Sequence, residues 1–226
     1  MKPEDLHILF EDNHLLAIIK PAGLLVQGDR TGDSTVLDLA KAYLRKKYAK
    51  PGKVFLGLVH RLDRPVSGVL LLARTSKAAS RLSAQFRAGT VGKRYLAVVT
   101  GRPDPPRDEP VAFLAGRADR HGRTEARREP FPGAREARLW YQVLEQSGKH
   151  ALVEVRPVTG RRHQIRAQLA LLGWPILGDV KYGAVARLPD RVVALHAREL
   201  EIAHPVSGET VRLQAALPSS WPWPPR

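Results

Sequence analysis

The sequence predicts a globular chain that combines β-strands with α-helices, and three observations lead to this prediction. The 226 residues are 43% hydrophobic and 26% charged, which provides a sizeable core for one domain or for a tight two-lobed one. Short apolar or alternating stretches lie between turn residues, as strands do. Three further stretches carry apolar residues at helical spacing.

Strand patterns occur from the beginning of the chain to its end. They predict strands over residues 8–10, 15–19, 69–73, 93–99, 111–114, 139–144, 151–155, 193–202 and 210–213. Ser147-Gly148-Lys149 predicts a hairpin turn between two of these strands. Between Gly101 and Arg138 the composition shifts to Pro, Gly and Arg, which indicates an irregular, partly hairpin excursion. Its arginines suit phosphate contacts, and a solvated loop explains them equally well.

Each of the first two predicted helices follows a residue that can cap its N-terminus. Ser34 or Thr35 can cap the first helix, and Ser76 is the predicted N-cap of the second, which Gly89 ends. The third helix is predicted over residues 165–172. The first helix also has a basic face, which either contacts phosphates or is simply solvated: Lys41, Arg45, Lys46 and Lys47.

The charge balance points to a polyanionic partner. Lys and Arg total 37 against 22 Asp and Glu, a net charge of +15, so nucleic acid is the first candidate and an anionic membrane surface the second. No apolar stretch reaches the roughly 18 residues that span a bilayer, and the N-terminus has no signal-peptide pattern. The absence of cysteine excludes disulfides, thiolate zinc sites and a cysteine nucleophile, and it fits a cytoplasmic protein.

Charged residues and turn residues are concentrated between His60 and Gly68. Asp63 lies between Arg61 and Arg64, and a continuous apolar strand follows. Neighbouring positive charges favour the ionised carboxylate, which suits a nucleophile or an ion-pairing group better than a general acid. Taken alone, however, Arg-x-Asp-Arg is more often part of a solvated loop.

Several blocks together resemble the RluA-type pseudouridine synthases, and the likeness runs in family order from about residue 8 to 217. The blocks are Lys20-Pro21-Ala22-Gly23-Leu24, His60-Arg61-Leu62-Asp63-Arg64 with Ser67-Gly68, Lys93-Arg94-Tyr95-Leu96-Ala97, and Gly160-Arg161-Arg162-His163-Gln164-Ile165-Arg166 with Gly178-Asp179 and Tyr182-Gly183. A weaker block comprises Leu195-His196-Ala197, His204-Pro205 and Ser207-Gly208.

The resemblance implies an α+β fold with a long mixed, largely antiparallel sheet flanked by helices and a central catalytic cleft. It also implies isomerisation of chosen uridines in ribosomal or transfer RNA, with no metal and no organic cofactor. The residue chemistry agrees, because a carboxylate can stabilise the cationic sugar that remains when a glycosidic bond breaks. We expect a monomer with a catalytic domain over residues 1–217 and a Pro- and Trp-rich tail over 218–226, without the accessory N-terminal RNA-binding domain of many relatives.

Roles for individual residues follow from the same resemblance. Asp63 matches the catalytic aspartate, Tyr95 the tyrosine that packs against the base, and Arg166 the basic residue that pairs with the aspartate. Arg61 matches the arginine that fills the space of the flipped uridine. Further substrate contacts are implied for His60, Arg64, Lys20, Arg161, His163 and Ile165.

Some features limit the likeness, and two other functions compete with it. Arg162 stands where threonine is more usual, and Pro65-Val66 replaces a polar pair. By position alone, Tyr95 is an ordinary half-buried strand aromatic and His163 a capping or core histidine. A non-catalytic RNA-binding protein and a nucleoside or glycoside hydrolase are the alternatives. The hydrolase normally needs a second carboxylate, which the motif lacks.

Overall fold

A computed structural model describes residues 2–29, 32–49, 51–120 and 122–223. The described residues form three α-helices, α1 Val36–Lys47, α2 Ser76–Ala88 and α3 Gln164–Leu171. They also form a mixed, largely antiparallel sheet with the strands β1 His7–Glu11, β2 Leu15–Lys20, β3 Gly57–Leu58, β4 Ser67–Ala73, β5 Gly92–Thr100, β6 Arg107–Asp108, β7 Val111–Ala118, β8 Thr124–Arg127, β9 Ala134–Ser147, β10 His150–Pro157, β11 Leu195–Ala203 and β12 Thr210–Gln214. The predicted α+β class is therefore confirmed.

The chain divides into two compact units, and the first comprises Met1–Gly92 and Ala197–Ala216. Its strand order is β1-β2-β4-β11, with β3 paired to β4 and β12 to β11. Every residue of β4 is buried, as the apolar run predicts. Together with α2, β4 contributes to an apolar core that also includes Leu15, Leu200 and Leu213. This core supports the strand that directly follows Asp63.

The second unit comprises Lys93–His196 and Leu217–Arg226. Its strand order is β5-β10-β9-β7-β8, and β6 pairs with β9. The excursion after Gly101 is more regular than predicted, because β7 pairs with both β8 and β9 in antiparallel register. Ala112, Leu114 and Ala137 of these strands form a small core with Ala167 of α3. The excursion is thus fastened to α3 by apolar packing.

The ends of the helices confirm one capping prediction and correct another. Thr35 caps α1 by accepting a hydrogen bond from the Asp38 amide at 3.1 Å. The N-cap of α2 is Thr75 and not Ser76, because the Thr75 hydroxyl accepts the Ala78 amide hydrogen at 3.1 Å. Gly89 ends α2 in a left-handed conformation, as predicted.

The C-terminal tail contacts the second unit through its tryptophans. The Trp221 ring lies 6.0 Å from the His196 ring, and the Trp223 indole donates a hydrogen bond to Glu145 at 2.9 Å. The division into a catalytic domain over residues 1–217 and a tail from 218 stays a prediction. In the described ranges, no helix combines the length and the apolar character needed to cross a membrane.

Gly68 has a different role from the turn residue that its position suggested. It lies inside β4 with φ +119°, and a Cβ atom there would come within 2.6 Å of the Ala197 nitrogen. Real Cβ atoms essentially never come this close to a backbone atom. Gly68 therefore allows the backbone of residue 197 to approach the beginning of β4.

We expect Gly68→Ala to lower the free energy of unfolding well beyond the cost of a positive φ alone, which is about 1–2 kcal/mol. Gly208→Ala is the matched control, because Gly208 has φ +78° with no atom within 4 Å of the added Cβ. Urea unfolding of both variants gives the comparison. Equal losses of stability in the two variants would contradict the steric role of Gly68.

Candidate active site

Asp63 occupies a tight turn immediately before β4. The Val66 amide donates a hydrogen bond to the Asp63 carbonyl at 3.1 Å, which closes the turn around Arg64 and Pro65. Asp63 is half-buried, and Arg61 on the preceding side is exposed. The turn thus holds one carboxylate at the start of a fully buried strand.

Lys20, at the end of β2, is fully buried beneath this turn. Its ammonium donates hydrogen bonds to the carbonyls of Pro21 and Leu24, each at 2.8 Å, and to the carbonyl of Arg64 at 3.1 Å. Three acceptors match the three donors of an ammonium group. The side chain is 0% exposed and presents no surface to RNA. The predicted substrate contact is therefore replaced by a role in positioning the Asp63 turn.

Electrostatics tie Lys20 to Asp63 as well. Burial is the main reason why the pKa of Lys20 falls to about 7; the negative charge of Asp63 opposes this shift, and the positive charge of Arg64 adds to it. The two residues therefore interact as opposite charges within the first unit.

Arg64 is directed toward the chain that follows Lys20. Its Nε donates to the Gly23 carbonyl at 2.9 Å, and the Gly23 amide donates back to the Arg64 carbonyl at 2.8 Å. A terminal nitrogen of its guanidinium pairs with Asp33 at 2.8 Å. These contacts close the turn that Pro21 begins, and a contact of Arg64 with RNA stays a prediction.

His60 is held by the core of the first unit. Its Nε2 accepts a hydrogen bond from the Leu71 amide at 2.9 Å, which places the hydrogen of the neutral ring on Nδ1. The ring also stacks on Phe86 with 5.0 Å between centroids. His60 thereby fixes the chain that enters the Asp63 turn, and its predicted contact with substrate stays untested.

Tyr95 lies in β5 of the second unit, in register with Val155 of β10. Tyr95 and Lys93 on the same strand are both half-buried, and burial lowers the pKa of that lysine. The neighbouring Arg94 pairs with the buried Glu154 at 3.2 Å. The strand therefore fixes the backbone position of Tyr95 within a charged part of β5.

Arg166 forms a buried, two-pronged ion pair with Asp179. Its Nε and one terminal nitrogen donate to the two carboxylate oxygens at 2.7 and 2.8 Å, and the side chains are 6% and 1% exposed. The guanidinium carbon also lies 5.0 Å from the centre of the Tyr182 ring. Charge-assisted bonds in this geometry fix both position and direction. The predicted pairing of Arg166 with Asp63 stays a prediction.

His163 directs the start of α3 through an unusual backbone conformation. It is the N-cap residue with φ 52°, and its Nδ1 lies 2.7 Å from the Tyr182 hydroxyl. That hydroxyl accepts the Thr124 amide hydrogen at 2.8 Å, so its own hydrogen is available for Nδ1. Burial raises the pKa of Tyr182, while the Thr124 bond and the charge of Arg166 act in the opposite direction. The Tyr182 hydroxyl therefore connects the His163 ring to the Thr124 amide.

The other predicted residues around α3 are held by the structure in different ways. The Arg161 Nε donates to the Glu136 carbonyl at 2.9 Å, Arg162 is exposed, and Ile165 is 7% exposed. Substrate contacts of Arg161, His163 and Ile165 stay predictions. Sequence reasoning assigned no role to Asp179 or Tyr182, although both stand in blocks that carry the resemblance.

Comparison with known proteins shows the family of the chain. Residues 14–171 match the family model described as RNA pseudouridylate synthase. The chain is 39% identical to ribosomal large subunit pseudouridine synthase D of Xanthomonas campestris pv. campestris, over 96% of the chain and 68% of that protein. It is 35% identical to tRNA pseudouridine synthase C of Salmonella typhimurium, over 96% of the chain and 87% of that protein.

A solved structure gives the same result. The human protein RNA pseudouridylate synthase domain containing 4 superposes with a TM-score of 0.77 and 29% identity, over 94% of this chain and 89% of that one. Asp63, Tyr95 and Arg166 all lie within the matched residues 14–171. The fold and the site blocks therefore point to the same family.

The buried Lys20 gives a prediction about pH and stability. Its pKa is about 7 in the folded protein against an ordinary 10.5, so between these values the unfolded chain binds a proton that the folded chain does not. Stability from this group therefore rises with pH across that window. We expect the unfolding free energy of the wild type, minus that of Lys20→Met, to increase from pH 7 to pH 10.

Lys77→Met is the control for this measurement, since Lys77 is exposed on α2. Urea titrations at several pH values measure the difference for each variant. A wild-type-minus-Lys20→Met difference that stays constant across the window would refute the placement of Lys20.

Proposed function

Because the chain belongs to the RNA pseudouridylate synthase family, we propose that it isomerises specific uridines in ribosomal or transfer RNA. The observation that carries the proposal is the match over residues 14–171, which contains the charged turn at Asp63. Pseudouridine synthases are isomerases that act on RNA. The relatives named above are a ribosomal and a transfer RNA enzyme, so both RNA classes are candidate substrates.

Asp63 is the proposed catalytic carboxylate. When the bond between ribose C1′ and uracil N1 breaks, the electron pair leaves with N1, and the sugar becomes electron-deficient at C1′. A carboxylate beside C1′ can stabilise or trap this centre. Asp63 also interacts electrostatically with the buried Lys20, whose pKa its negative charge raises. The half-buried turn also holds the carboxylate in one place before the reaction begins.

Tyr95 is the proposed partner of the base. The detached uracil rotates, and its C5 forms a bond to C1′ in place of N1. The proton lost from C5 is balanced by the proton gained at N1, so product and substrate are isomers. We assign Tyr95 to packing against the uracil and to accepting the C5 proton. No water molecule, metal or organic cofactor takes part in this scheme.

Arg61 is the proposed occupant of the space that the flipped uridine leaves. A uridine in folded RNA must leave its stack to reach a pocket, and this costs a few kcal/mol. Arg61 is exposed beside the half-buried Asp63, so its guanidinium is available to the RNA. An inserted side chain lowers the cost of keeping the base outside its stack.

The first test of the proposal replaces Asp63. Asp63→Asn should abolish pseudouridine formation, because the reaction needs the negative charge of the carboxylate. RNA affinity should stay nearly unchanged, because binding of a polyanion does not need that charge. The assay incubates uridine-labelled RNA with enzyme in the presence of EDTA, digests the RNA and separates pseudouridine from uridine and free uracil. Asp190→Asn is the matched control, since Asp190 is exposed.

Each outcome of this assay has a defined meaning. Pseudouridine from the wild type and none from Asp63→Asn supports the proposal. Free uracil would indicate a hydrolase, and RNA binding without any product would indicate a binding protein. Activity of Asp63→Asn within tenfold of the wild type would refute the role of the carboxylate.

The second test separates the function of Arg166 from its buried pairing with Asp179. Removing one partner of such a pair leaves an unpaired buried charge and costs about 3–5 kcal/mol, whereas replacing both by apolar residues is often neutral. We therefore expect Arg166→Met with Asp179→Leu to stay folded and still lose nearly all turnover. Arg166→Lys should retain part of the rate, since lysine keeps the charge but loses the fork.

Urea unfolding and the pseudouridine assay on the same preparations provide the two readouts. A folded Arg166→Met, Asp179→Leu variant with wild-type turnover would show that Arg166 has only a structural role.

A further inference from the structure

The three strands β7, β8 and β9 of the second unit form an arm that is rich in arginine. A pocket of about 440 Å³ opens at one end of this arm and is lined by Ala115, Gly116, Arg117, Pro132, Gly133 and Arg135. Its volume falls within the range of small-molecule sites. The lining thus consists of two arginines and four small residues.

Three arginines of the arm and of the loops that join its strands are already paired with an acid. Arg123 pairs with Asp119 at 2.9 Å, Arg127 with Glu125 at 2.6 Å, and Arg138 with Glu136 at 2.7 Å. In the last two pairs the acid stands two residues before the arginine. Residues i and i+2 of a strand lie on the same face, so the acid is in reach.

The two arginines of the pocket lack such a neighbour. Arg135 has Gly133 and Ala137 at the two-residue spacing, and Arg117 has Ala115 on one side. On its other side stands Asp119, which pairs with Arg123. Across the part of the chain that the structure describes, Arg117 and Arg135 have neither an ion pair nor a side-chain hydrogen bond. Both guanidinium groups therefore keep their full charge and their donors.

The small residues around them make room for an anion. Gly133 has φ +75° and no atom within 4 Å of a built Cβ, and the Gly116 amide donates to the Gly133 carbonyl at 3.3 Å, which joins the two sides of the pocket. Two like charges on one pocket repel each other unless an anion lies between them. The planar guanidinium of arginine can donate two parallel hydrogen bonds to a phosphate group.

The geometry points to a phosphate-binding site at Arg117 and Arg135 that takes backbone phosphates of the substrate RNA. This inference rests on the proposed function for the identity of the RNA. The site adds affinity and register away from the Asp63 turn, because contacts to phosphate position an RNA without reading its sequence.

The test uses two double variants of the full chain. The pocket variant carries Arg117→Gln and Arg135→Gln, and the control variant carries Arg123→Gln and Arg127→Gln. Both double variants remove two positive charges from exposed positions of the same arm. Fluorescence anisotropy with a single-stranded RNA across a potassium chloride series gives affinity and salt slope. Each phosphate contact contributes about 0.7 to the slope for single strands.

We expect the pocket variant to lose about 1.4 in slope and roughly tenfold in affinity at low salt. In turnover the loss appears in KM rather than in kcat. The control variant should keep the wild-type slope to within about half a contact. Equal slopes for the pocket variant and the wild type would overturn the inference, and so would equal losses in both variants.

Two further measurements test the identity of the ligand and separate this inference from the proposed function. If inorganic phosphate binds the wild type and not the pocket variant, while RNA affinity is the same in both proteins, the site binds free phosphate and the assignment to RNA is wrong. If the pocket variant shows the expected loss of slope but the wild type forms no pseudouridine, the site stands and the proposed function falls.

Discussion

A buried ammonium holds together the two loops that define the Asp63 turn. Burying a lysine is costly unless its charge and its donors are satisfied, and Lys20 satisfies all three donors with backbone carbonyls of residues 21, 24 and 64. The bonds between Gly23 and Arg64 run in both directions and close the same connection. The turn is therefore held by hydrogen bonds of Lys20 and Arg64 to loop backbone, and these bonds are not part of the pairing between strands. Moving either loop would leave a buried cation without partners.

The second unit also contains a buried basic side chain, but the group that accepts its hydrogen bonds is different. Arg166 is as buried as Lys20 is, but its partner is the side chain of Asp179 rather than backbone carbonyls. The Tyr182 ring covers the guanidinium, and its hydroxyl connects His163 to the Thr124 amide. One buried pair thus orders the beginning of α3, the chain after it and the beginning of β8. In both units a cation in the interior determines where a half-exposed polar residue stands.

Much of this could be predicted from the sequence, and the remainder has a physical explanation. The apolar run 69–73 and the alternation around Tyr95 determine strands locally, so their prediction succeeded. The choice between Ser76 and Thr75 as N-cap depends on which hydroxyl reaches the Ala78 amide. The sequence cannot show this, because both residues carry a hydroxyl and stand next to each other. The burial of Lys20 and the approach of residue 197 to Gly68 depend on chain segments far apart in sequence. Local sequence patterns carry no information about such contacts. The motifs that resemble the family include Lys20 and Gly68 but do not show what these residues contact.

The net charge of +15 shows the same division between what sequence gives and what packing decides. Counting residues predicts a polyanionic partner, but it does not say which cations remain available. In the strands of the second unit an acid two residues before an arginine neutralises it, as in Glu125 with Arg127 and Glu154 with Arg156. Arg117 and Arg135 have alanine or glycine in place of that acid, and no acid at this spacing before them balances their charge. The two-residue spacing of a strand therefore explains some of the paired arginines from the sequence, whereas a pair such as Arg94 with Glu154 forms between two strands and depends on how those strands pair.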